Sequence, residues 1–337
     1  MKSKGYQTTK GKKDFAYCVA NIKKEGGEKN VKLRLSKKDI ELLSFLKKYK
    51  IMLASESKRI YQSKGYHFKR LKILEKERYI QRVDRYYIRL DVKGTKLMKE
   101  IGYEYYRICR RKDYQDRVKE IVKVATLTLD SNIEFIPSWE IKNNNIFTDT
   151  ARKFVGELIY QQKKYIAYFI SKGKETVYIR QVINDIQKAV GYNNIIVFLE
   201  DMKVLSKSNQ YFIFGKSSTI IVNCNQKNLD KMRLFQKIDL YEVIKKIYQE
   251  EILLSNWKKA DYMTEGRQYI LLMPFIDTEK LHGINIFYNN NKMSNRKIDI
   301  ITLKENKGKI EEILTNKVNI IEIEDLLGGI YGEIKKV

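Results

Sequence analysis

The stretch YHFKRLKILEKERYIQRVDRYYIRLDVKG, from Tyr66 to Gly94, changes its hydrophobic period midway, and that change decides the fold. Its first half places Phe68, Leu71 and Leu74 at helical spacing, with Lys69, Arg70, Lys72, Lys76 and Arg78 on the other side. This predicts a helix over about 66–77. From Tyr79 to Leu90 the chain turns aromatic and β-branched around Asp84-Arg85, the pattern of a two-stranded hairpin.

Upstream, Ser36 is a good N-cap, because its hydroxyl can accept from a free N–H of the first helical turn. Ile40, Leu43, Leu46 and Tyr49 then share one face, predicting a first helix over 36–49. Met52-Leu53-Ala54 leads into a short second helix over 54–61, and Ser63-Lys64-Gly65 turns the chain. Downstream, Asp91-Val92-Lys93-Gly94-Thr95 turns into a helix through Leu97, Met98 and Ile101. Three short helices followed by a hairpin predict a winged helix-turn-helix over 35–104.

Charge points to the partner. The chain carries a net +26, and residues 1–130 hold 36 Lys and Arg against 16 Asp and Glu. A cationic excess gathered in one segment is the footprint of a polyanion binder. Solubility alone needs a net charge of only about 2–8 in a small domain. Residues 1–34 read as a flexible basic arm, with Lys2, Lys4, Lys10, Lys12 and Lys13 around Gly5 and Gly11. Residues 105–130 read as a basic linking helix, carrying Arg107, Arg110, Arg111, Lys112 and Arg117.

A major groove about 12 Å wide admits one helix. Tyr66, His67, Lys69, Arg70 and Lys72 are therefore the expected DNA-facing residues of the third helix. Arg82, Arg85 and Arg89 of the wing are expected on phosphates, which position a protein without specifying sequence. The expected partner is double-stranded DNA, together with a second copy of the chain or a replication or transfer protein.

From residue 131 to 337 the pattern becomes α/β. Ile133–Lys142, Lys153–Tyr160 and Tyr165–Ser171 read as successive strands, Val177–Ala189 as a helix, and Ile195–Leu199 and Thr219–Cys224 as buried strands. Leu229–Glu250 reads as one long helix. Tyr269–Phe275, Gly283–Tyr288, Lys297–Leu303 and Lys317–Ile323 read as further strands. The whole chain is thus expected to be α+β.

Chemistry is sparsely supported. His67 and His282 are the only histidines, so no histidine-rich metal centre can be built, and no cofactor or metal is expected. The neighbouring histidines of a rolling-circle relaxase and the Arg and His set of a tyrosine recombinase are both missing. Tyr105-Tyr106 is read as packing, not as a paired nucleophile. Gly215-Lys216-Ser217 looks like the end of a phosphate loop, but Gln210 stands where its first glycine belongs. Cys18, Cys109 and Cys224 are widely spaced, which argues for reduced thiols. No apolar run is long enough to cross a membrane, and a cytoplasmic location is expected.

The order helix, three strands, helix, strand suits a restriction-endonuclease-like core. An active one needs an acid on one strand and acid-x-Lys on the next, to hold Mg²⁺ and poise a water. Glu157 could be the first acid, but Ala167-Tyr168-Phe169-Ile170 offers no acid or lysine. Glu140-Ile141-Lys142, with Asp130 or Glu134 upstream, falls on the wrong strand. The core is therefore read as catalytically silent, with no catalytic residue assigned. A Mg²⁺-dependent nuclease and a transcriptional repressor or antitoxin-like regulator are the alternatives.

Two segments carry a resemblance: Leu71-Lys72-Ile73-Leu74-Glu75-Lys76-Glu77-Arg78-Tyr79-Ile80 and Tyr86-Tyr87-Ile88-Arg89-Leu90-Asp91-Val92-Lys93-Gly94. They resemble the recognition helix and wing of the replication-relaxation family of bacterial plasmids and mobile elements. Trp139-Glu140 and the Phe154–Ile170 strands resemble its nuclease-like half, except that Arg152-Lys153-Phe154 stands where Pro-Asp would precede the second strand. The resemblance implies a role in plasmid replication, DNA relaxation or transfer.

Overall fold

The computed structural model describes residues 33–63, 65–102, 111–142, 153–174, 176–188, 194–205, 218–248, 251–266, 268–290, 296–314 and 318–323. The chain divides into two compact units, 1–110 and 111–337. It is mixed α+β, with three sheets among the described residues. Nearly all of the expected basic arm, Tyr105-Tyr106, Cys18, Cys109 and Gly215-Lys216-Ser217 lie outside the described residues.

In the first unit, α1 (Lys37–Tyr49) begins with a capping box. The Asp39 backbone N–H donates to Ser36 Oγ at 3.2 Å, and the Asp39 carboxylate accepts the Ser36 N–H at 2.6 Å. This satisfies two of the donors a helix start leaves open. Strand β1 (Met52–Leu53), a 3-10 turn (Ala54–Glu56), α2 (Ser57–Tyr61) and α3 (Tyr66–Lys76) follow. Leu42, Leu43, Leu46, Ile60, Leu71 and Leu74 are buried among these helices. Strands β2 (Ile80–Arg82) and β3 (Tyr87–Leu90) form an antiparallel hairpin, and β1 pairs with β3, giving the order β1-β3-β2. The final helix α4 (Val92–Glu100) starts against the end of α3: the Asp91 N–H donates to Tyr79 O and the Lys93 N–H to Arg78 O, both at 3.0 Å. Gly94 therefore lies inside a helix and not in a turn. A Cβ there would stand 2.1 Å from the Tyr79 carbonyl oxygen, so only glycine fits.

The second unit opens with α5 (Lys112–Ala125). The expected single helix from Tyr105 to Leu129 is corrected here. Arg111 is extended at the N-cap, and Thr126–Thr128 tightens into a 3-10 turn. A six-stranded sheet follows, ordered β12-β8-β7-β6-β5-β4. Strands β4 (Glu134–Pro137), β5 (Gly156–Tyr160) and β6 (Lys163–Ile170) run antiparallel. Strands β7 (Asn194–Leu199) and β8 (Ser218–Asn223) continue parallel to β6, and β12 (Ile276–Asp277) closes the edge antiparallel. The five residues Ile195–Leu199 are all buried, as a strand covered on both faces requires. A second sheet is ordered β14-β13-β11-β10-β9 from β9 (Ile252–Leu254), β10 (Tyr262–Thr264), β11 (Tyr269–Met273), β13 (Ile298–Thr302) and β14 (Asn319–Glu322). One core joins Ile166, Tyr168 and Ile170 of β6, Ile179, Val182 and Ile183 of α7 (Thr176–Lys188), and Leu271 and Ile300 of the second sheet.

Three expected elements differ. The strand Ile133–Lys142 stops at Pro137, and α6 (Ser138–Lys142) follows. The long helix Leu229–Glu250 is two, Gln226–Phe235 and Leu240–Ile247, because the Asp239 carboxylate caps the second by accepting the Tyr241 N–H. The strand Gly283–Tyr288 lies within the helix Thr278–Asn290, which Asp277 starts by accepting the N–H groups of Glu279 and Lys280.

Candidate nucleic-acid interface

The third helix divides its side chains sharply. His67, Arg70, Leu71 and Leu74 are buried, whereas Tyr66, Phe68, Lys69, Lys72, Ile73 and Lys76 are exposed. The sequence pattern had placed Phe68 inward and Arg70 outward; both are reversed. The cause is Asp39. Its carboxylate is wholly buried on α1, and Arg70 meets it through Nε at 2.9 Å and Nη2 at 2.6 Å. The Tyr61 hydroxyl donates to the same carboxylate at 2.7 Å, and Arg70 Nη2 also donates to Arg34 O. A buried carboxylate must be paired, and this one draws the only arginine of α3 into the core. Burial opposes ionisation of Asp39, but the Arg70 guanidinium, the Ser36 N–H and the Tyr61 hydroxyl outweigh it and hold the carboxyl below its usual range. The same network pushes the Tyr61 hydroxyl far above its usual value, through burial and the adjacent Asp39.

His67 is likewise internal: its Nδ1 lies 3.0 Å from Ser63 O, and its ring stands 4.0 Å from that of Phe68. Of the five α3 residues expected on DNA, Tyr66, Lys69 and Lys72 face solvent, while His67 and Arg70 do not. Their burial corrects their expected role as readers. Sequence reasoning missed Phe68 and Ile73 as surface residues, and placed Lys76 outward without counting it among the DNA-facing set. The usable signal was Ser36 followed by Asp39, a capping pair whose acid needs a cation.

In the β2–β3 hairpin, Arg85 is exposed within the turn 83–86, where the Asp84 carboxylate accepts the N–H groups of Tyr86 and Tyr87. Arg82 lies 3.5 Å from Glu75 across a solvated gap, an ion pair weak enough to open to a phosphate. Arg89 turns along the sheet, donating from Nη2 to Gln81 Oε1 at 3.2 Å. Arg82 is thus presented beside α3, Arg85 is exposed at the tip of the hairpin, and Arg89 serves the hairpin.

The second unit shows where the nuclease candidates stand. Glu140 is on the helical turn α6, Asp130 is at a positive-φ turn, and Glu157 is buried with Lys164 Nζ at 3.5 Å. Among the described residues no three His, Cys, Asp or Glu side chains gather to hold a metal ion. A cavity of about 370 Å³ is lined in part by Tyr160, Lys163, Tyr165, Asp277 and Lys280. Lys280 is bound to Asp261 at 2.5 Å, and burial pushes the Asp277 carboxyl above its usual range. Among the described residues no helix is long and apolar enough to cross a membrane.

Compared with known proteins, the chain matches no family model, no curated protein and no solved structure.

Proposed function

We propose that the chain is a sequence-preferring double-stranded DNA-binding protein acting in plasmid or mobile-element replication, maintenance or transfer. Residues 35–102 are read as a winged helix-turn-helix, with α3 in the major groove and the β2–β3 hairpin on phosphates. The observation that carries this reading is the outward face of α3. Lys69, Lys72 and Lys76 line it, with Arg82 nearby and Arg85 at the tip of the hairpin, on a helix whose inward face is fixed by a buried ion pair. The Asp39–Arg70 pair anchors the inward face of the helix, which leaves its lysines free to meet the phosphates of a duplex.

The second unit supports a restriction-endonuclease-like reading through its order: α5, two antiparallel pairings over β4–β6, then α7 and a parallel β7. It is read as catalytically silent, and self-association or contact with a partner protein is its proposed part.

The test is anisotropy on a random-sequence duplex over a salt series, with Lys69→Ala/Lys72→Ala as comparison. Each neutralised phosphate contributes about −0.9 to the log–log slope. The wild type is expected to lose affinity steeply with salt, and the double variant to bind more weakly, with a slope reduced by up to about two. Equal binding by both proteins removes α3 from the interface, and cleavage in Mg²⁺ overturns the silent-core reading.

A further inference from the structure

We infer that the outward face of α3 selects its DNA through thymine methyl groups. The inference rests on the DNA-binding reading above and gives it a target chemistry.

Base pairs are distinguished in the major groove chiefly by paired hydrogen bonds: Arg or Lys to guanine, Asn or Gln to adenine. Helix α3 has no Asn and no Gln, and its single arginine, Arg70, is spent on Asp39 inside the unit. His67 is 2% exposed. The polar readers left outside are three lysines, the Tyr66 hydroxyl and Glu75, whose carboxylate faces Arg82 at 3.5 Å. A lysine is a compact, freely rotating point charge, suited to phosphate or to a single guanine edge, without a planar fork to fix register.

Two apolar side chains share this face. Phe68 is 47% exposed and Ile73 is 42% exposed. Along the helix Ile73 lies four residues after Lys69 and three before Lys76, and Phe68 lies four before Lys72, so each is flanked by cations on the same face. That setting favours a polyanion as the occupant over an apolar protein surface. The apolar group a base pair offers in the major groove is the C5-methyl of thymine. Covering such a methyl removes apolar surface on both partners from water, and Phe68 and Ile73 offer more apolar surface for this than a lysine stem does.

The experiment uses the full chain. Binding duplexes are enriched from a random-sequence library, and the best is resynthesised with deoxyuridine for every thymidine. Pairing is kept and only the methyl groups are removed. The uracil duplex is expected to bind about fourfold more weakly for each contacted methyl. Ile73→Ala or Phe68→Ala is expected to bring the thymine duplex down toward the uracil one, so that the ratio of the two affinities falls toward one. Both side chains are about half exposed, and the unfolding midpoint of each variant checks that it folds as the wild type does. Equal affinity for both duplexes overturns the methyl reading and leaves DNA binding standing. Discrimination that survives both substitutions also overturns it, because the methyls are then read elsewhere. Failure to bind any duplex overturns the DNA-binding reading itself.

Discussion

Asp39 begins one helix and holds side chains from two others, so its charge state is a property of the whole first unit. Its folded carboxyl titrates below the ordinary value of about 3.9 because of Arg70, the Ser36 N–H and Tyr61, against the opposing effect of burial. A depressed acid contributes stability above the unfolded pKa and loses it as pH falls through the folded one. Asp39→Asn leaves the Arg70 guanidinium buried without a counter-charge, and breaking such a pair costs about 3–5 kcal/mol. In urea at neutral pH the variant is expected to unfold at a much lower midpoint than the wild type. The gap should narrow below about pH 4; a gap of constant size would show that Asp39 ionisation does not hold the helices. Little of this was legible in sequence. Periodicity placed α3 within a residue, but it ranks every basic side chain alike, and the partner of Arg70 lies 31 residues earlier.

At the scale of elements, local signals worked where cap and period agreed and failed where a distant contact decided. Helix α1, the β2–β3 hairpin and strands β6, β7 and β8 were readable from Ser36, the switch in period after Lys76, and continuous apolar runs. The β5–β6 hairpin turns on Gln161 and Gln162, both at positive φ. That conformation normally announces itself as Asn-Gly, so the break between the two strands was legible but the type of turn was not. Gly283-Ile284-Asn285-Ile286 alternates like a strand, but Asp277 starts a helix ahead of it. Gly94 yields the prediction for this scale. Its hydrogen stands where any Cβ would press on the Tyr79 carbonyl oxygen. Gly94→Ala is expected to cost about 1–3 kcal/mol, as overpacking does, against the usual gain from glycine to alanine in a helix. A chemical denaturation curve decides it, and a stabilised variant would mean that α4 docks differently.

For the whole molecule, each unit has a core of its own, one around Leu42, Leu46 and Leu71 and one spanning both sheets of the second unit. Calorimetry of the full chain is expected to resolve two transitions, with Asp39→Asn lowering only one. A single transition that shifts as a block would overturn this. The charge reading set the boundary near residue 130, whereas the units divide after residue 110; the cationic excess in fact ends there, with 31 Lys and Arg against 12 Asp and Glu over residues 1–110. The sequence showed three strands of the second sheet, β11, β13 and β14, but not β9 and β10, which are three residues each and carry no pattern long enough to read. Helix α3 leaves a consequence for how such a chain can change over generations. Asp39, His67, Arg70, Leu71 and Leu74 keep it folded, while Tyr66, Phe68, Lys69, Lys72 and Ile73 meet whatever lies outside. The two sets are distinct, though the Phe68 ring lies against that of His67. Descendants can therefore alter Lys69, Lys72 or Ile73 one residue at a time while the buried contacts that fold α3 stay in place.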